Sequence, residues 1–141
     1  MSAATNPTLR LWSLADQGSS RETPNVDLAP AVSQIISEIP DVQAVYVFGS
    51  VATGEELPGS DVDVAFLAPR KLDPVERFRL QERIAALVGR SVDLVDLQAA
   101  STVMRVEVLR NGEVLYDAHP GVRAMFEARA LSEYASLNES R

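Results

Sequence analysis

The chain predicts an α/β (α+β) fold, a small sheet flanked by helices and closed by a C-terminal helix, and three β-rich stretches carry that expectation. Val45-Tyr46-Val47-Phe48 is an apolar run that stops at Gly49-Ser50, and ten residues later Asp61-Val62-Asp63-Val64-Ala65-Phe66-Leu67 begins a second. Ser91 to Leu97 forms a third, and segments of helical period lie between and around the three. With 141 residues, 46% hydrophobic and 23% charged, the composition suits one compact domain. That domain is expected over residues 26–118, preceded by an arm over 1–25 and followed by a helical extension over 119–141.

Composition excludes several functions. No apolar run approaches the ~20 residues of a membrane span, and the N-terminus lacks the apolar core of a signal peptide, so a cytoplasmic protein with no membrane contact is expected. Cysteine is absent and His119 is the single histidine, which leaves oxygen as the donor for any metal. A net charge of −7 argues against direct nucleic-acid binding. An acidic surface would suit a basic protein partner, although such charge more often serves solubility.

The arm contains Pro7, Gly18, Ser19, Ser20 and Pro24 and has little periodicity, interrupted by Leu9, Leu11, Trp12 and Leu14, which could pack back on the domain or anchor a partner. From Asp27, a capping residue, Leu28, Val32, Ile35, Ile36 and Ile39 fall at helical spacing, with Pro30 in the first turn and Pro40 as the stop. After the second strand, Asp73-Pro74-Val75-Glu76 reads as a capping box that opens a helix ending at Val88-Gly89. Its buried stripe is expected to be Leu80, Ile84, Leu87 and Val88, with Arg77, Gln81 and Glu82 mainly solvated. Ser101 caps a helix through Arg110 with Val103, Met104 and Leu109 partly buried, and Asn111-Gly112 leads into a short strand, Val114 to Tyr116. Beyond the loop residues His119-Pro120-Gly121, the spacing of Val122, Met125, Phe126, Leu131, Tyr134 and Leu137 predicts a terminal helix, either core cover or interface.

The chemistry is concentrated at the strand ends. Alternation puts Asp61 and Asp63 on one face of the second strand and Val62, Val64 and Phe66 on the other. Two such carboxylates repel unless a cation neutralises them, and an all-oxygen pair suits Mg²⁺ that is also held by substrate phosphates. Gly49 and Ser50 offer a phosphate cradle, because the glycine lets the backbone approach and the serine supplies a hydroxyl, especially if a short helix begins there. In the third strand Asp93 shares a face with Val95, opposite Val92, Leu94 and Asp96, so one aspartate can join the pair if the strands are adjacent. Asp93 is the choice, since Asp96 stands at the strand end where a turn-forming aspartate is ordinary. It could complete a cation's coordination or take a proton from an incoming hydroxyl. An isolated calcium loop fits poorly, for the downstream ligands are missing.

Gly49-Ser50, ten residues, Asp61-Val62-Asp63, then Val92-Asp93-Leu94-Val95-Asp96-Leu97, with Gly54 and Ser60 between, resembles the minimal nucleotidyltransferases of the DNA polymerase β superfamily. Within it the chain most resembles the MNT-type antitoxins encoded beside HEPN-domain ribonuclease toxins. The likeness spans Val42 to Tyr116, including Arg105-Val106-Glu107, Gly112 and Leu115-Tyr116, and extends to Phe126-Glu127-Ala128-Arg129-Ala130-Leu131 with Tyr134. It implies the nucleotidyltransferase fold with a mixed sheet, Mg²⁺ and ATP as cofactor and substrate, and transfer of AMP to a tyrosine of a cognate HEPN toxin. On it, Asp61, Asp63 and Asp93 are catalytic and hold the metal, while Gly49, Ser50 and Ser60 bind the nucleotide. The chain departs from many members at Thr53, where they carry a basic residue before the loop glycine. Two alternatives stand beside protein adenylylation. One is an antitoxin that merely occludes its toxin, which the intact carboxylates disfavour; the other is a small-molecule nucleotidyltransferase, which would normally need a second lobe that this length does not accommodate.

Overall fold

The computed structural model describes residues 26–55 and 59–139. The expected arm with Trp12 lies outside the described residues. The elements in chain order are α1 (Ala29–Glu38), β1 (Ala44–Phe48), α2 (Gly49–Thr53), β2 (Val62–Leu67), α3 (Pro74–Val88), β3 (Val92–Asp96), α4 (Thr102–Asn111), β4 (Glu113–Asp117) and α5 (Pro120–Glu139).

Local chemistry sets the boundaries. The Asp73 carboxylate accepts the Val75 and Glu76 N–H groups and Pro74 opens α3, which ends at Gly89 in the left-handed region. Ser101 Oγ accepts the Met104 N–H at 3.1 Å at the start of α4. Asp27 accepts the Ala29 N–H at 3.1 Å, so it steadies the first turn of α1 from one residue outside the cap position.

The four strands form one mixed sheet in the order β3-β2-β1-β4. β1 is antiparallel to both β2 and β4, and β3 runs parallel to β2, with α3 as the crossover that parallel neighbours require. Alternation is kept on both sides of the sheet. Val45, Val47, Val62, Val64, Phe66, Val92 and Leu94 face α1 and α3, where they pack with Val32, Ile35, Leu80 and Ile84. Ala44, Tyr46, Phe48, Ala65 and Leu67 face α4 and α5, with Val108, Met104 and Phe126. Asp63 and Asp93 belong by alternation to this second face.

Several helix positions differ from their expected environment. Leu87 is 50% and Val103 61% exposed, and the buried positions of α4 are Val106 and Val108. Apolar spacing alone does not say where the neighbouring layer ends. Arg77 and Gln81 are not solvated: Arg77 Nη1 donates to the Leu94 carbonyl at 3.0 Å, and Gln81 Oε1 accepts the Leu94 N–H at 2.9 Å. β3 is an edge strand, and these bonds satisfy backbone groups that would otherwise face outward unpaired.

α5 is held by polar contacts more than by an apolar stripe. Buried Tyr46 donates its hydroxyl to Glu127 Oε2 at 2.9 Å, and Arg123 joins Glu127 at 2.8 Å to Asp117 at 2.7 Å. Burial, then the Glu127 charge, holds the Tyr46 hydroxyl well above the usual phenol range. Arg105 donates to the Leu97 and Gln98 carbonyls and lies 5.3 Å from the Phe126 ring centroid. Val122, Met125, Leu131 and Leu137 remain exposed. Among the described residues no helix is long and apolar enough to cross a membrane.

Candidate active site

The site is built where β1 gives way to α2. Phe48 is extended, and the chain then turns sharply at Gly49, whose φ of 75° lies in the left-handed region. A second constraint makes glycine necessary: a Cβ at Gly49 would run into the Asp63 carboxylate. The following turn is drawn tight on Ser50, whose carbonyl accepts Thr53 Oγ1 at 3.3 Å and the Glu55 N–H at 3.0 Å. Val51 is buried beneath it, leaving Gly49 and Ser50 partly open to solvent.

Register brings the aspartates to this turn. Phe48 pairs with Asp63 across β1 and β2, and Asp63 pairs with Asp93 across β2 and β3. Asp61 stands exposed just ahead of β2. Burial first, then the charge of Asp93, then that of Asp61, pushes the Asp63 carboxyl up from the ordinary 3.8 to about 6. Asp63 therefore stands between two carboxylates that both act on it. Their side chains lie along adjacent strand ends without closing up: among the described residues, no three His, Asp or Glu side chains converge as a ready cation cage. The donor set is all oxygen, and an anionic Asp63 is disfavoured by its surroundings, so the residues present fit a hard cation such as Mg²⁺.

The other candidates separate cleanly. Ser60 comes next to Asp61, and its carbonyl accepts Arg90 Nη2 at 2.6 Å, which ties the approach to β2 to the turn before β3. Asp96 is a structural residue, 4% exposed, accepting the Leu72 N–H at 2.7 Å and the Gln98 N–H at 3.0 Å. Arg90 and the pair Arg77 and Gln81 were not singled out by sequence. For the pair, the available signal was its i,i+4 spacing along one flank of α3.

The family description "Polymerase beta, Nucleotidyltransferase" matches residues 31–120, which include all six candidate residues. The chain belongs to this nucleotidyltransferase family. Among the relatives of this nucleotidyltransferase, the protein adenylyltransferase MntA of Shewanella oneidensis is 36% identical over 103 residues, 73% of each chain. A chain from the crystal structure of a toxin-antitoxin with AMP-PNP superposes with a TM-score of 0.75 at 34% identity, covering 78% of this chain and 88% of that one. A chain from the tri-AMPylated Shewanella oneidensis HEPN toxin in complex with MNT antitoxin gives 0.70 at 31% identity, covering 79% and 87%. The nucleotidyltransferase fold and the mixed sheet that the family resemblance implied are both present.

Proposed function

We propose that this nucleotidyltransferase is the antitoxin of a HEPN/MNT pair, a Mg²⁺-dependent protein adenylyltransferase that moves AMP from ATP to a tyrosine hydroxyl of its HEPN-domain toxin and so neutralises it. The observation that carries the proposal is the gathering of Asp63 and Asp93 in register beside Gly49, in a chain 36% identical to a protein adenylyltransferase. Asp61, Asp63 and Asp93 would hold Mg²⁺, which when bound supplies charge neutralisation at the attacking and leaving oxygens. Gly49 and Ser50, with Ser60 beside Asp61, hold the phosphates. Asp93, exposed at the edge of the trio, takes the proton of the acceptor hydroxyl. The tyrosine oxygen bonds to the α-phosphorus, the bond from that phosphorus to the bridging oxygen breaks, and pyrophosphate leaves.

The test combines the purified chain, its toxin and ATP labelled in the α-phosphate. Label should appear on the toxin with each added AMP visible by mass. Neutralisation without label would instead establish occlusion. In the same assay Asp93→Asn should lose rate far more than ATP affinity, whereas equal loss of both would make Asp93 chiefly a metal ligand.

α5 is the proposed docking surface for the toxin. It begins beside Gln43, at the end of the sheet away from Gly49, and runs back along α4 until Tyr134 meets Arg110, 5.4 Å away in the last turn of that helix. Gly112, just after α4, lies against the Val47 carbonyl, so α5 reaches the end of the sheet that carries the aspartates. Its inner flank is occupied by Glu127, Arg123 and Phe126, and Val122 and Met125 are left outward. Met125→Asp should weaken toxin binding by about tenfold or more, the scale of an interface anchor, with ATP affinity unchanged. Unchanged toxin affinity in a titration would remove α5 from the interface. Deleting α5 outright is a poorer experiment, since it also removes the Glu127 acceptor of Tyr46 and the Arg123 ion pair of Asp117.

A further inference from the structure

Among the described residues β3 carries Asp93 on the outermost position of the sheet, with β2 on one side and no strand on the other. An edge strand is the element freest to slide or peel, and this one is pushed outward where it matters. Asp93 lies opposite Asp63, like charge facing like charge on neighbouring parallel strands. What stands in for the missing neighbour is α3. The N–H and C=O of Leu94, the residue next to Asp93, both turn away from β2, and both are taken by side chains of one helix: Gln81 Oε1 accepts the first at 2.9 Å and Arg77 Nη1 donates to the second at 3.0 Å. Leu94 is 1% exposed, so water does not readily replace either bond. α3 is itself fixed by Leu80 and Ile84 in the core and by the Asp73 cap, which makes it a firm support.

We propose that Gln81 and Arg77 are positioning residues for Asp93: they close the open edge of β3 and hold the Asp93 carboxylate opposite Asp63 against the repulsion between them. The inference rests on the adenylyltransferase function proposed above only for its activity readout. A double-mutant cycle tests it, with two measurements on wild type, Gln81→Leu, Asp93→Asn and the double variant: the rate of AMP transfer, and the affinity for Mn²⁺ in the presence of ATP followed by electron paramagnetic resonance.

Gln81→Leu should lower the transfer rate by about tenfold, the scale for loss of a group that orients a metal ligand, with the KM for ATP within about twofold of wild type. Mn²⁺ affinity should fall as well. Both losses should disappear in the Asp93→Asn background, because the clamp acts through that carboxylate. Gln81→Glu, which keeps an acceptor oxygen for the Leu94 N–H, should restore both readouts, and Arg77→Met should repeat the pattern of Gln81→Leu. Equal losses with and without Asp93, or no change in either readout, would overturn the proposal and reduce the two side chains to edge protection. A wild-type chain that transfers no AMP would count against the proposed function, while the Mn²⁺ cycle would still decide the role of the clamp.

Discussion

Asp63→Asn is expected to lower AMP transfer by about three orders of magnitude or more, since several kcal/mol of charge stabilisation at the reacting phosphate depend on the cation it would hold. The same substitution should leave the metal-free chain more stable at neutral pH. Asp63 titrates near 6 in the folded chain against an ordinary 3.8, so between those values the folded state binds more protons than the unfolded state. The contribution of Asp63 to stability therefore falls as pH rises from about 4 to about 6, and the full penalty persists above that window. With solvent screening of a partly exposed carboxylate allowed for, the penalty is on the order of 1 kcal/mol. Asparagine removes the slope. Urea unfolding from pH 4 to 8, beside transfer of label from ATP, checks both effects; an unchanged rate would dismiss the carboxylate from the chemistry, and an unchanged pH slope would dismiss the electrostatic account.

Gly49→Ala should be nearly as damaging to activity while altering no charge. The added methyl meets the Asp63 carboxylate, and the left-handed backbone at this position costs an L-residue about 1–2 kcal/mol. Either the turn or the carboxylate must shift, and displacement of a reacting group by about an ångström costs on the order of 100-fold in rate. The expected variant is folded by circular dichroism, less stable, and about 100-fold slower. Wild-type activity would show that the close approach of Gly49 to Asp63 has no bearing on the reaction.

Much of this architecture could be read from short-range chemistry. Asp73, Pro74 and Gly89 mark the two ends of α3 because caps and stops depend on a residue's own backbone and its near neighbours. Strand alternation put Asp93 and Asp96 on opposite faces, and the strand-end position of Asp96 decided between them; in the structure Asp93 stands in register with Asp63, and Asp96 is consumed by the Leu72 and Gln98 N–H groups. Long-range pairing was not legible in this way. Gln81 and Arg77 look solvated on a helical wheel, for nothing local announces that the flank they occupy will face an unpaired strand edge. Glu127 likewise reads as a surface glutamate until Tyr46, distant in sequence, arrives beneath it. The exposed Leu87 and Val103 err in the other direction, apolar residues at helical spacing that no layer covers.

The tie between Tyr46 and Glu127 spans 81 residues, and that span sets an order of events during synthesis. At ~5–20 residues per second, roughly 4–16 s separate the two residues at the ribosome. Through that interval β1 and β2 can pair, and the surface formed by Tyr46, Phe48, Ala65 and Leu67 awaits the helices that will cover it. α4 emerges first and covers much of that surface through Met104 and Val108, while the Tyr46 hydroxyl waits for Glu127 until α5 is made. A chain stopped ahead of Glu127 would carry the aspartates and α4 but lack the acceptor of the Tyr46 hydroxyl.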